Sequence, residues 1–179
     1  MKFTVSKTEI VKALSSTLGV VEKRQALPIL SNILLTVEDK NISITATDLE
    51  SEVKTTCTPT NVESTGSTTA PAKKLNELCR LLPDGSEISI CLNGDKLSIE
   101  SGSGKYSIST LPSEDFPVFD VASEKTEFTI LGSVLRNLIS KTAFAMGNQD
   151  WRHYLNGMYL NIEDKNITAV TTDAHRLAI

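Results

Sequence analysis

The sequence has 179 residues, 40% of them hydrophobic and 22% charged, with a formal net charge of −4. That length suits one domain, or one domain and part of another, and the apolar content is enough for a sizeable core. The negative balance excludes a protein that grips nucleic acid through a strongly basic surface, so any such role must rest on locally placed charge or on topology.

Lys2 to Val5 reads as a short strand. Ser6-Lys7-Thr8-Glu9 is a capping box, in which each side chain satisfies a free backbone N–H at a helix start. It predicts a helix to about Leu18 with the apolar stripe Ile10, Val11, Leu14 and Leu18. Pro28 breaks the region that follows. Strands are predicted at Ile33–Val37 and Ile42–Ala46, joined by a turn at Asp39-Lys40-Asn41, and again at Glu52–Thr58. Asn61 to Thr68 is polar and rich in Ser, Thr and Gly, and reads as a loop. Ala72 to Leu82 reads as a second helix, with Leu75, Leu78, Cys79 and Leu82 apolar and Pro83-Asp84-Gly85 ending it. Three strands follow at Glu87–Leu92, Lys96–Ser101 and Lys105–Thr110, separated by turns at Asn93-Gly94-Asp95 and Gly102-Ser103-Gly104. Pro112 to Pro117 looks like a linker. The order predicts an α+β fold, with two helices on one face of antiparallel sheets.

The chain repeats itself at an offset of 125 residues. Met1–Lys54 aligns with Thr126–Ile179 without a gap, and thirteen of the 54 pairs are identical, against roughly three or four by chance. Glu38-Asp39-Lys40-Asn41-Ile42 recurs as Glu163-Asp164-Lys165-Asn166-Ile167, and Thr47-Asp48 as Thr172-Asp173. A period this long is a whole domain. Residues 1–125 are therefore expected to be one complete domain. Residues 126–179 are expected to be the first half of a second, truncated in mid-strand, with apolar strand edges exposed.

No run reaches the ~18 apolar residues of a membrane-spanning helix. The start lacks the apolar stretch of a signal peptide, so a cytoplasmic protein with no membrane association is expected. Cys57, Cys79 and Cys91 form no Cys-x-x-Cys pair and sit among apolar neighbours, which predicts buried reduced thiols. There is no phosphate-binding glycine loop, no His-Glu-x-x-His and no cysteine cluster, so no cofactor or metal is expected.

Leu27-Pro28-Ile29-Leu30-Ser31-Asn32, Thr45-Ala46-Thr47-Asp48-Leu49-Glu50 and Ser109-Thr110-Leu111-Pro112 with Asp115-Phe116-Pro117 resemble the first domain of bacterial DNA sliding clamps, the beta subunits of DNA polymerase III. So do Gln149-Asp150 with Arg152, Tyr154-Leu155-Asn156-Gly157-Met158, and Thr171-Thr172-Asp173-Ala174-His175-Arg176-Leu177-Ala178. The resemblance runs from Met1 to Ile179. It implies the clamp fold and a head-to-tail homodimer ring of three-domain subunits, with helices lining the hole and sheets outside. It also implies a non-catalytic processivity factor that encircles duplex DNA without sequence preference. Such a factor tethers polymerase, clamp-loader and repair proteins through short linear peptides.

A clamp should touch phosphates and avoid base edges. Lys73 and Arg80, with Asn76 and Glu77 between them, are predicted to form one stripe of the second helix, opposite its apolar face. The stripe fits an ordinary solvated face as well as a basic lining, and the resemblance favours the lining. Lys12 on the first helix is a similar candidate. By resemblance Arg24 and Gln149, in corresponding loops, are further DNA contacts.

The two copies act as a control for the partner site. Thr172-Asp173 recurs as Thr47-Asp48, so that pair is expected to serve the fold by capping a turn. His175-Arg176-Leu177 replaces Glu50-Ser51-Glu52, and Arg152-His153-Tyr154-Leu155 replaces Leu27-Pro28-Ile29-Leu30. By resemblance Arg152, Leu155, Thr172, Ala174, His175, Arg176 and Leu177 line a cleft for a linear peptide. The family often carries glycine where Ala174 stands, so its methyl is expected to narrow the pocket. Lys74, Lys105, Tyr106 and Ile108 are assigned by resemblance to the ring interface, the last three on an edge strand. Two rival readings are a peptide-binding adaptor without DNA encirclement and a hydrolase using Asp173 and His175.

Overall fold

A computed structural model describes residues 1–21, 27–118, 128–163 and 166–179. The chain divides into two compact units, Met1–Val121 and Ala122–Ile179.

In the first unit, strand β1 (Lys2–Ser6) runs directly into helix α1 (Lys7–Thr17). Ser6 makes the switch: its Oγ accepts a hydrogen bond from the Glu9 N–H at 3.3 Å, satisfying a donor the first turn leaves free. Among the described residues only this serine half of the predicted capping box forms. Ile10 and Leu14 are fully buried, each contributing about 1.5–3 kcal/mol of apolar burial. After a 3₁₀ turn at Pro28–Ser31 come β2 (Asn32–Val37), β3 (Ile42–Thr47), β4 (Glu52–Cys57), β5 (Asn61–Ser64) and β6 (Gly66–Pro71). Helix α2 (Ala72–Leu81) precedes β7 (Glu87–Asn93), β8 (Lys96–Ser101) and β9 (Gly104–Ser109).

Two antiparallel sheets result, ordered β4-β3-β2-β6 and β5-β1-β7-β8-β9. The inward faces of both, with the apolar stripes of α1 and α2, form one core around Phe3, Val5, Ile10, Leu14, Leu35, Ile44, Leu75 and Ile90. Lys7 ties the helices' ends together. Its ammonium donates to the Leu82 carbonyl at the end of α2 and to Asp84 Oδ1.

The structure departs from four expectations. The loop predicted over 61–68 forms β5 and the start of β6. Its backbone is held by pairing with β1 and β2, and a ladder of N–H and C=O groups needs no apolar side chains. Pro112–Pro117 is no free linker: Ser113–Asp115 is a 3₁₀ turn that seats Phe116 in the core. Asn76 is not on the solvated stripe of α2; it is buried, and its Oδ1 accepts from Ser15 Oγ at 3.5 Å. Cys91 is only partly buried, whereas burial pushes the thiols of Cys57 and Cys79 up to about 11 and about 12.

The second unit holds α3 (Gly132–Thr142), a 3₁₀ turn at His153–Asn156, and the antiparallel strands β10 (Tyr159–Glu163), β11 (Asn166–Thr172) and β12 (Leu177–Ala178). The 125-residue offset superimposes α1 on α3, and Pro28–Ser31 on His153–Asn156, residue for residue. Thr17 and Thr142, identical across the copies, are both buried with Oγ1 donating to a carbonyl of the helix. Phe128–Ile130, the counterpart of β1, is not a strand. β1 is held by β5 and β7, and neither has a counterpart within the 179 residues.

Candidate partner site and exposed basic residues

The partner-site candidates are held by two turns of the second unit, each organised by an aspartate. In the first, the Asp150 carboxylate takes the Arg152 guanidinium in a two-pronged grip: Nε donates to Oδ1 at 3.0 Å and Nη2 to Oδ2 at 2.9 Å. Arg152 N–H also donates to Oδ1, at 2.8 Å. The Asn156 side chain cinches the Asp150 backbone, accepting from its N–H and donating to its carbonyl, both at 2.9 Å. The bonds from Arg152 hold the Asp150 carboxyl down to about 2, the guanidinium's hydrogen bonds contributing most and its backbone N–H next. The guanidinium also lies over the Trp151 ring, 5.7 Å from its centroid. Leu155 closes the turn and is buried.

In the second turn, Asp173 Oδ1 accepts from the N–H groups of His175 and Arg176, both at 2.9 Å, and Oδ2 accepts from Arg176 Nε at 3.0 Å. The two backbone donors, more than the guanidinium, lower the Asp173 carboxyl below its usual range. Thr172 Oγ1 donates to the Arg176 carbonyl and accepts from the Ala174 N–H. The Arg176 guanidinium lies 5.9 Å from the centre of the Phe144 ring. His175, Arg176 and Leu177 are left exposed. Of the second turn, His175 contributes to lowering the Asp150 carboxyl and Asp173 to raising the Arg152 guanidinium, both as the last of the causes.

The first unit contains the same turn. Thr47 Oγ1 donates to the Ser51 carbonyl and accepts from the Leu49 N–H, and Asp48 Oδ1 accepts from the N–H groups of Glu50 and Ser51. Leu49 and Ala174 both have φ +73. A left-handed backbone favours glycine, so the methyl of Ala174 costs conformational energy there, apart from any pocket it narrows. Thr172 has its hydroxyl committed to the turn. Asp150, Asn156 and Phe144 were missed as parts of the site, although Asp-x-Arg at 150–152 is a charge pair readable from the sequence.

The acid–base pair Asp173/His175 does not form. Both oxygens of the carboxylate are taken by backbone N–H groups and Arg176, and among the described residues the His175 ring has no hydrogen-bond partner. The described residues contain no cluster able to hold a metal ion, and none of their helices is long and apolar enough to cross a membrane.

Among the DNA candidates, Lys12 on α1 and Lys73 and Arg80 on α2 are exposed and in no ion pair among the described residues. Gln149 is exposed with φ +56. Arg24 lies outside the described residues. Among the interface candidates, Lys74 is exposed, and β9 is the edge strand of its sheet. Lys105 pairs with Glu100, directly opposite on β8, at 3.1 Å. Tyr106 is half-exposed, but Ile108 is a core residue, opposite fully buried Leu97 and so not a free apolar contact.

The architecture is that of a clamp-type α+β protein: two helices against antiparallel sheets, with the first half of the unit recurring 125 residues on. Residues 1–120 match the family model of the DNA polymerase III beta subunit, N-terminal domain, and residues 129–179 match that of its central domain. The chain belongs to the DNA polymerase III beta subunit family. The beta sliding clamps of Salmonella typhimurium and Escherichia coli (strain K12) are 43% and 42% identical to it over all 179 residues, which cover 49% of each relative. A crystal structure of the DNA polymerase III subunit beta from Pseudomonas aeruginosa superimposes with a TM-score of 0.94 at 41% identity, covering 99% of this chain and 48% of that one. A sliding clamp from the same organism bound to griselimycin does so with a TM-score of 0.94 at 42% identity and the same coverage. The chain thus spans about half the length of the relatives it matches.

Proposed function

We propose that this chain supplies the first domain, residues 1–125, and the first half of the second, from 126, of a sliding clamp. The clamp is a non-catalytic processivity factor that encloses duplex DNA and tethers polymerase and clamp-loader subunits through short peptides. The whole-length match to beta sliding clamps carries this reading. Lys12, Lys73, Arg80, Arg24 and Gln149 would meet phosphates without reading bases. A few such contacts give weak, salt-dependent affinity, so retention rests on enclosure, which is compatible with a net charge of −4.

Arg152, Leu155, Ala174, His175, Arg176 and Leu177 would receive the partner peptide, with Thr172 holding their turn. The rigid organisation of each turn by an aspartate, with His175, Arg176 and Leu177 left exposed, supports this. The edge strand β9, with Tyr106, Lys105 and Lys74, would pair with another subunit of a homodimer ring. The test is retention of the protein, at the full length of its relatives, on circular and on linearised DNA. A clamp persists on circles and runs off free ends. Equal retention on both would overturn enclosure, and peptide binding with no retention on circles would favour the adaptor.

A further inference from the structure

Strand β6 is the edge of its sheet, and the chain that follows β9 is strapped across it. Thr69 N–H donates to the Leu111 carbonyl at 3.2 Å. Thr69 Oγ1 donates to the same carbonyl at 3.0 Å and accepts from the Leu111 N–H at 3.2 Å. Ser67 Oγ donates to Ser113 Oγ at 3.0 Å. On the other side, Thr110 N–H donates to the Asp95 carbonyl of the β7–β8 turn at 2.9 Å. Strap, strand and turn border a cavity of about 270 Å³. It lies wholly within the first unit, and no residue assigned above to DNA, peptide or ring interface lines it.

Thr68 stands opposite Leu35 of the core and is only 3% exposed. It lines the cavity, yet among the described residues its hydroxyl makes no hydrogen bond, unlike those of its neighbours Ser67 and Thr69. A hydroxyl so buried ordinarily has a partner. Among the described residues, Ser86 Oγ is the one unpartnered side-chain atom that is fully enclosed; Thr68 Oγ1 therefore keeps an opening, and the cavity it lines supplies it. The second feature is charge. Asp95 and Glu114 line the same cavity, are exposed, and stand in no ion pair or side-chain hydrogen bond among the described residues. No lysine or arginine lines it, and Leu92, Leu111 and Pro112 give it apolar wall. Two uncompensated carboxylates beside walls of low dielectric concentrate negative potential in the space between.

We propose that this cavity binds a linear aliphatic diamine. Asp95 and Glu114 each take an ammonium group in charge-assisted hydrogen bonds, Thr68 Oγ1 accepts an N–H, and the methylenes lie along Leu92, Leu111 and Pro112. Size selects the diamine over a single lysine side chain. At ~30 Å³ per water-sized group the volume admits roughly nine non-hydrogen atoms, and a lysine side chain would leave about half of it unfilled. The occupant would join the β7–β8 turn to the strap that ends in Phe116, a residue of the buried interior.

Calorimetric titration of the protein, at the full length of its relatives and at fixed ionic strength, with the diamine cadaverine should give one saturable site per chain, with a Kd on the order of 1 mM. Pentylamine, which lacks the second ammonium, should bind about fivefold more weakly, and the neutral diol of the same length should not bind. Asp95→Asn and Glu114→Gln should each weaken cadaverine about fivefold. Thr68→Val, which keeps the shape and removes the hydroxyl, should weaken it about threefold, and Thr68→Ser should restore it. Glu38→Gln with Asp39→Asn, which removes as much charge at the β2–β3 turn, should change nothing. No saturable heat overturns the proposal. So does pentylamine or the diol binding as tightly as cadaverine, an unaltered Kd in Asp95→Asn, Glu114→Gln or Thr68→Val, or an equal loss in the Glu38/Asp39 variant.

Discussion

Asp48 and Asp173 occupy one turn in two copies, and removing each carboxylate should have different consequences. In Asp48→Ala the N–H groups of Glu50 and Ser51 lose acceptors at 3.0 and 2.7 Å. Both donors are exposed and regain water. The loss is that of a capping carboxylate, about 1–2 kcal/mol for the two bonds together. Thr47 Oγ1 still holds Leu49 and Ser51, so the turn should loosen rather than rearrange. Asp48→Asn keeps an acceptor oxygen and should cost about half as much. Urea unfolding followed by circular dichroism measures this as a lower midpoint at unchanged slope. Asp173→Ala frees, in addition, the guanidinium of Arg176, and should weaken binding of a partner peptide by on the order of tenfold, while Asp48→Ala leaves that binding unchanged. A shift below ~0.3 kcal/mol for Asp48→Ala, no rescue by asparagine, or equal effects of both alanines on peptide binding would refute the reasoning.

Ala174→Gly should stabilise the second unit by under ~1 kcal/mol, because a left-handed backbone costs alanine more than the extra freedom glycine has when unfolded; a lower unfolding midpoint contradicts this. The Asp150 carboxyl titrates lower folded than unfolded, so its grip on Arg152 is fully present above pH ~4 and is lost as pH falls through about 2. NMR titration of the Arg152 Nε–H should report that transition, and Asp150→Asn should abolish it. Lys73→Glu with Arg80→Glu should shorten retention on circular DNA and reduce its salt slope by roughly one for each phosphate no longer neutralised; an unchanged slope would remove α2 from the DNA-facing set.

The first helix, its serine cap and the first-unit strands other than β5 and β6 were legible because each depends on neighbours in sequence: a cap three residues from its donor, apolar residues at helical spacing, turns at Asn-Gly and Gly-Ser. The aspartate turns were legible from the repeat, since Thr-Asp recurs where the following residues do not. β5 and β6 were not, because a polar Ser/Thr segment becomes a strand only when β1 and β2 offer it unpaired backbone. Asn76 and Ile108 were misplaced for a related reason. Helical and strand periodicity assign faces, but Ser15 on another helix and Leu97 on the next strand decide which faces are covered.

The sequence by itself determined the family, the 125-residue repeat and the residues that set the second turn apart from the first. Those are properties of residue order and need no contact between distant segments. Only the tertiary structure decided that Asp150 and Asn156 hold Arg152, that Ala174 sits in a left-handed turn, and that β1 pairs with β5 and β7 and β6 with β2. Backbone hydrogen bonds between strands carry no side-chain signature, so such pairing is invisible until the partners are in place. That pairing is what buries Phe3 completely, between Val62 of β5 and Ile90 of β7, both from distant stretches of the chain.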